Sequence, residues 1–119
     1  MTTLYGISNC DTMRKARRWL DGHGVDYVFH DVRRDGLDRA TLQTWITALD
    51  WEQLLNRRGT TWRKLPGTVR TTVNRKAAET IMLEHPAIIK RPVLEHGGHW
   101  YLGFSADRYQ AIFGPARKP

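Results

Sequence analysis

Residues 2–22, TTLYGISNCDTMRKARRWLDG, hold the pattern that decides the fold. Residues 2–7 are short, largely apolar and compatible with a β-strand, and they run into the turn-forming pair Ser8-Asn9. Three apolar residues then recur at intervals of three and four, the spacing of the buried face of a helix: Met13, Ala16 and Leu20. The stretch therefore predicts a strand, a loop and a helix, with Cys10 where the loop meets the helix.

Working outward, residues 25–32 alternate in polarity as a half-buried strand does, so a second strand is predicted there. Apolar residues at helical spacing follow over residues 42–49, and Asp38 is placed to cap that helix. The pattern weakens over residues 51–72, where we expect short helices and loops.

The last third of the chain predicts a helix, a hairpin and a final helix. Asn74 is placed to cap the first of these, which Pro86 ends because proline disfavours a helical conformation in the residue before it. Two short apolar runs, 92–95 and 100–102, flank Gly97-Gly98 and are expected to pair antiparallel. Ser105 is placed to cap the final helix.

This order, with a cysteine at the start of the first helix, predicts an α/β domain of the thioredoxin-like class. We expect one domain over residues 1–119, with a mixed sheet and a helical insertion at about residues 38–85. The insertion separates the second strand from the C-terminal hairpin.

Composition excludes several classes of protein. The 119 residues include one cysteine, which rules out an internal disulfide, a cysteine-rich zinc site and a dithiol cycle within one chain. A hydrophobic fraction of 40% is too high for a disordered chain, and no stretch approaches the ~20 apolar residues of a membrane span. Because no secretory signal is evident, we expect a cytoplasmic protein without a membrane partner.

The net charge of +7 comes from basic residues that fall in pairs along the chain. No long basic run is present, so nucleic acid is not an expected partner, whereas small anionic substrates are compatible with the charge. His96 and His99 flank a glycine turn without further ligand clusters, which favours a plain hairpin over a zinc site, and we expect no metal.

Cys10 is the candidate nucleophile. The unsatisfied N–H groups and the positive end of the helix dipole favour a thiolate there, and Arg14, one turn later, adds positive potential. Arg14 and Asn9, which precedes the cysteine, are candidates to bind an anionic substrate, and Thr12, in the first helical turn, is expected to have a structural role at the site. The neighbouring carboxylate of Asp11 opposes thiolate formation. The competing interpretation is that Cys10 is a small buried apolar residue.

Five segments in this order resemble the arsenate-reductase-like ArsC/Spx/YffB family, most nearly its YffB branch. The match extends nearly end to end, and the order and spacing of the segments make it specific. The segments are GISNCDTMRKA at 6–16, YVFHD at 27–31, LLNRRGTTWRKL at 54–65, HPAIIKRPV at 85–93, and Gly103-Phe104.

In the arsenate reductases of this family, a nucleophilic cysteine is surrounded by arginines that bind the oxyanion and lower the pKa of the thiol. The resemblance implies that Cys10 is that cysteine and that Arg91 is one of the arginines. It also implies that Pro92 follows a cis peptide bond and faces the cysteine, as the equivalent proline does in thioredoxin-like folds.

Two further family arginines are not matched. Asn56 stands at one of these positions, which leaves Arg57 or Arg58 as substitutes, and Phe104 stands near the other. Since phenylalanine cannot form the paired, charge-assisted bonds by which guanidinium groups hold a tetrahedral oxyanion, arsenate reduction is the weakest of our functional hypotheses.

The first functional hypothesis is a thiol reductase that uses glutathione, or another small thiol, as co-substrate without a bound cofactor. The second is an Spx-like regulator that binds RNA polymerase or another protein. The redox switch of the Spx branch requires a second cysteine where Met13 stands, so such a regulator lacks that switch. We expect a monomer in either case.

Overall fold

The first strand and helix form where the sequence predicts them. The computed structural model describes residues 1–114, and in it β1 spans Thr2–Gly6 and α1 spans Asp11–Gly22. The predicted apolar stripe of α1 is its buried face, and it packs in one core with Leu4 of β1. The helix α1 therefore lies against one side of β1, and the loop between them places Cys10 at the start of α1.

Four strands form a mixed sheet. The remaining strands are β2 (Val28–Asp31), β3 (Val93–His96) and β4 (His99–Leu102), and the spatial order is β2-β1-β3-β4. The pair β1–β2 is parallel, whereas β1–β3 and β3–β4 are antiparallel. This confirms the predicted mixed sheet, and it places the start of β3 next to the end of β1.

The hairpin between β3 and β4 turns at Gly97 and Gly98, whose φ angles are 58° and 81°. Two successive residues with positive φ are what a tight two-residue turn between twisted strands requires, and glycine adopts them without steric cost. The predicted antiparallel pairing is confirmed, because Glu95 pairs with Trp100 and His96 with His99.

The second strand begins three residues later than predicted. Val28 pairs with Thr3, so residues 25–27 lie beyond the paired part of β1. The apolar alternation arises instead because Val25, 7% exposed, is buried in the core that holds α1. Burial of Val25 in this core, without pairing to β1, therefore explains why residues 25–27 have the pattern of a strand.

Residues 32–90 fold as a helical unit, and residues 1–31 with 91–114 fold as a sheet unit. The sheet unit ends in α7 (Ala106–Phe113), which buries Tyr109 in its core. Five α-helices and a 3-10 helix follow one another in the helical unit: α2 (Arg39–Leu49), α3 (Trp51–Leu54), α4 (Thr60–Arg63), α5 (Gly67–Thr72), α6 (Arg75–Glu84) and Pro86–Ile88. Inside this unit, α2 packs against α3 and α6.

The predicted helical insertion of about residues 38–85 falls within the helical unit. That the whole chain acts as one domain over 1–119 stays a prediction, and residues 115–119 lie outside the described residues. Among residues 1–114, every helix is too short or too polar to cross a membrane.

All three predicted helix caps are confirmed. The side chains of Asp38, Asn74 and Ser105 accept hydrogen bonds from backbone N–H groups at 2.7, 2.9 and 3.1 Å, each from the residue three positions later. Such caps satisfy N–H groups that the first turn of a helix leaves without a partner. Pro86 ends α6 as predicted, since the helix stops at Glu84.

We expect Gly6→Ala to destabilise the fold by about 1–3 kcal/mol, the usual cost of overpacking a core. A Cβ at Gly6 would overlap the sulfur of Met13, which is only 1% exposed and cannot move without disturbing the core. Chemical denaturation measures the loss. The matched control is Gly22→Ala, where the new methyl meets open space and the helix should gain up to about 1 kcal/mol; equal effects of the two substitutions would contradict the packing argument.

Candidate active site

Cys10 occupies the N-cap position of α1. Its backbone is extended, with φ −151° and ψ 131°, and its side chain makes no capping hydrogen bond of the kind that Ser, Thr, Asp or Asn provides. The residue is partly exposed and is not in a disulfide. A sulfur therefore stands where helices usually carry a capping oxygen, and it remains accessible to a reactant.

Three groups stabilise negative charge on this sulfur. Burial raises the pKa of the Cys10 thiol, but the backbone N–H of Met13, the guanidinium of Arg91 and the backbone N–H of Thr12 together lower it by more. The net result is a pKa below the ordinary value of a cysteine thiol. This is the electropositive setting in which cysteines become nucleophiles, and it argues against a purely structural role.

Arg91 reaches the thiol from the segment that leads into β3. The Arg91–Pro92 peptide bond is cis, and Pro92 is buried. The carbonyl oxygen of Pro92 accepts a hydrogen bond of 2.8 Å from the N–H of Gly103, which follows β4. The β1–β3 pairing and this bond hold Arg91 close to the start of α1.

Arg14 lies one turn into α1, as expected, but its guanidinium contacts other groups. It forms an ion pair with Asp11 and donates to the side-chain oxygen of Asn9 at 3.4 Å. The groups that lower the pKa of Cys10 are Arg91 and the two N–H groups, and Arg14 is not among them. Anion binding by Arg14 and Asn9 stays a prediction.

Arg57 and Arg58 belong to the helical unit. The guanidinium of Arg57 lies over the rings of Trp51 and Trp62, at 5.9 and 5.6 Å from their centres, a cation–π arrangement. Arg58 is exposed, and its backbone N–H donates to the side chain of Asn56 at 3.1 Å. Whether either arginine binds an anion stays a prediction.

Phe104, near a position where the family resemblance implied an arginine, is an apolar packing residue. Its ring meets that of Tyr109 edge-on with centres 4.7 Å apart. Phe104 and Cys10 pack against the same core, so the Phe104 side chain contributes apolar packing there and no positive charge.

His96 and His99 lie on either side of the β3–β4 turn. The ring Nδ1 of His96 hydrogen-bonds the hydroxyl of Thr2 at 2.8 Å, while His99 is exposed at the turn. Over residues 1–114, no three side chains of His, Cys, Asp or Glu gather as a metal site requires.

The N–H groups that the sequence predicts at the start of the helix are those of Thr12 and Met13, and they lower the pKa of Cys10 as expected. One feature of the site was not predicted from the sequence. It is Asp31, a buried carboxylate that accepts a hydrogen bond from the backbone N–H of Ser8. Its polar position at the end of an apolar strand was the available signal.

Comparison with known proteins gives a consistent result. A model of the ArsC family matches residues 5–112 of this chain. The global transcriptional regulator Spx 1 of Lactococcus lactis is 28% identical over 115 residues, which cover 94% of this chain and 88% of the regulator.

Two solved structures are more similar in sequence. The structure of a protein described as YffB is 48% identical, covers 93% of this chain and 97% of its own, and superposes with a TM-score of 0.89. The solution structure of an arsenate reductase (ArsC) related protein from Brucella melitensis is 52% identical, covers 95% and 94%, and gives a TM-score of 0.78. These findings confirm the resemblance and the thioredoxin-like α/β fold predicted from the sequence.

We expect Arg91→Ala to raise the pKa of Cys10, because it removes the guanidinium that bonds and attracts the thiolate. The rate of alkylation, measured against pH, reports this pKa because the thiolate is the reacting form. In the parent chain the midpoint should lie below the ~8.5 of a free thiol, and in the variant it should move upward.

The matched control for Arg91→Ala is Lys15→Ala, which removes an equal charge from an exposed side chain of α1. Its alkylation midpoint should stay close to that of the parent. Identical midpoints for the parent chain and Arg91→Ala would refute the assigned role of Arg91.

Proposed function

Because this chain belongs to the ArsC family, we propose that it is a thiol reductase in which Cys10 is the nucleophile and glutathione supplies the second thiol. The observation that carries the proposal is the partly exposed Cys10 thiol at the N-cap of α1, beside the Arg91 guanidinium that helps to lower its pKa. A lower thiol pKa raises the share of thiolate at a given pH, and an accessible thiolate is what attack on a disulfide requires.

The reaction takes place in two exchanges. The Cys10 thiolate attacks the glutathione sulfur of a disulfide between glutathione and a target thiol; a new sulfur–sulfur bond joins Cys10 to glutathione, and the target leaves as a thiolate that takes a proton from water. A second glutathione thiolate then attacks the glutathione sulfur of this adduct. Cys10 leaves as a thiolate and glutathione disulfide is released. One glutathione from solution is therefore consumed for each target thiol set free, and the other half of the released disulfide comes from the substrate.

The composition of the chain supports an external second thiol. The sequence holds one cysteine, so the adduct has no internal partner that can resolve it. Met13, at the position where a Cys-x-x-Cys motif has its second cysteine, is 1% exposed and fills the space over Gly6. A small thiol from solution is therefore the reductant that this site favours.

Charge supports glutathione over a neutral thiol. Glutathione carries two carboxylates, and Arg91 offers a guanidinium fork beside the sulfur, a geometry suited to carboxylate recognition. Arsenate, by contrast, needs several guanidinium groups around one oxyanion, and Phe104 does not provide one. Arsenate reduction is accordingly the weaker enzyme hypothesis.

A second candidate function is an Spx-like regulator, and one feature of the helical unit favours it. Between Glu52 and Glu79 the chain has no acidic residue and seven basic ones, all exposed. They are Arg57, Arg58, Arg63, Lys64, Arg70, Arg75 and Lys76. An acid-free basic segment of this kind attracts an acidic protein surface, and Spx 1 is among the relatives.

The reductase proposal predicts a glutathione adduct on Cys10. After incubation of the folded chain with glutathione disulfide, intact-protein mass spectrometry should show one added glutathione, and reduced glutathione should then remove it. Cys10→Ser should take up none, because the chain has no other thiol. Arg91→Ala should form the adduct more slowly at neutral pH. A folded parent chain that stays unmodified would end this proposal.

The regulator candidate predicts binding that depends on charge and not on the thiol. Purified RNA polymerase should capture the parent chain and Cys10→Ser equally, and Arg58→Glu should lose most of that binding. The control is Lys15→Glu, a reversal of an exposed charge on α1 outside the basic segment. If RNA polymerase captures none of these chains, or captures Arg58→Glu as well as the parent, the candidate fails.

A further inference from the structure

The loop that carries the nucleophile passes next to a buried carboxylate. Residues 7–10 connect β1 to α1, and Asp31 is the last residue of β2, the strand parallel to β1. In the register of this pair Asp31 lies opposite Gly6, where the chain leaves β1 to enter the loop. With 4% exposure, Asp31 is the buried acidic residue of the described chain.

Asp31 holds the loop through a backbone group. Its Oδ2 accepts a hydrogen bond of 3.2 Å from the N–H of Ser8, two residues before Cys10. Ile7, the preceding residue, is 5% exposed and anchors the same loop by apolar burial. The loop is thus fixed at two consecutive residues, one by packing and one by a charged acceptor.

The shape of this loop decides where the sulfur lies. Cys10 has an extended backbone, and no side-chain cap bond fixes its position at the start of α1. The position of its sulfur relative to the N–H groups of Thr12 and Met13, which lower the pKa of the thiol, therefore follows from the path of the residues before it. The interaction of an N–H group with an anion depends on distance and direction, so a small rotation of the loop would weaken it.

Burying a carboxylate is costly unless it is bonded, and hydrogen bonds to a charged acceptor are stronger than those to a neutral one. We propose that Asp31 is a positioning residue for the nucleophile: through Ser8 it holds the β1–α1 loop in the conformation that aims the Cys10 sulfur at the N–H groups of Thr12 and Met13. This inference rests on the proposed function only in taking Cys10 as the reacting group.

The experiment compares Asp31→Ala with Asp31→Asn by pH-dependent alkylation with iodoacetamide. Asp31→Ala removes the acceptor, so the midpoint for Cys10 should rise toward ~8.5 and the alkylation rate at pH 7 should fall about threefold or more. Asp31→Asn keeps an acceptor oxygen for the Ser8 N–H and should retain a midpoint close to that of the parent.

Asp31→Asn also separates positioning from charge. Loss of a nearby negative charge lowers the pKa of a thiol, the direction opposite to the expected effect of losing the loop contact. A fall in the midpoint for both variants would therefore show that the carboxylate acts by charge, and it would overturn the proposal.

The structural control is Thr2→Val. It removes the bond between the Thr2 hydroxyl and His96 at the other end of β1, so it weakens the sheet without touching the loop. The free energy of unfolding of Thr2→Val should fall, while the pH midpoint for alkylation of Cys10 stays unchanged. Equal upward shifts in Thr2→Val and Asp31→Ala would show general loosening of the fold and would refute a specific role for Asp31.

Folding of the variants is checked by circular dichroism, and the Ser8 amide is followed by NMR in isotope-labelled protein. Should Asp31→Ala fail to fold, Asp31→Asn decides the matter: a Ser8 amide resonance shifted by the weaker acceptor, with neighbouring sheet resonances unmoved, supports the proposal, and an unshifted one overturns it. Because iodoacetamide replaces glutathione as the probe, absence of a glutathione adduct would end the proposed function and leave this result standing.

Discussion

The positive end of α1, directed at the sulfur of Cys10, is the interaction on which the rest of the site depends. The N–H groups of Met13 and Thr12 are donors that any helix leaves without partners in its first turn. A side-chain oxygen often caps such donors, whereas Cys10, at the N-cap of α1, makes no side-chain cap hydrogen bond, and the two N–H groups instead lower the pKa of its thiol. The first turn that leaves these donors without a cap therefore favours the thiolate form of Cys10.

The sheet supplies what the helix alone lacks. Pairing of β1 with β3 brings Arg91 to the cysteine from 81 positions away in the chain, and the parallel pairing of β1 with β2 brings Asp31 under the loop. One central strand thus determines the position of all three groups. The β1–α1 segment that carries Cys10 forms this site only when β2 and β3 pair with β1 in the observed register.

Local patterns in the sequence predicted the elements, the three caps and the cysteine, because each depends on residues a few positions apart. They predicted a longer β2 than the structure has, because a buried but unpaired residue such as Val25 is as apolar as a residue of a paired strand. They also left Asp31 without a role and did not indicate that the Arg57 guanidinium lies over two tryptophan rings. Such contacts follow from tertiary packing, for which periodicity carries no signal. Arg91 was identified from family resemblance and not from spacing.

The absence of an oxygen cap on α1 affects the lifetime of any adduct on Cys10. A sulfur joined to another sulfur carries no charge, so it is a poorer acceptor for the N–H groups of the first turn than the thiolate is. Return to the thiolate restores this stabilisation, which in the proposed reductase makes Cys10 a good leaving group in the exchange that regenerates it. In that reaction the helix terminus favours a short-lived adduct over a stored one.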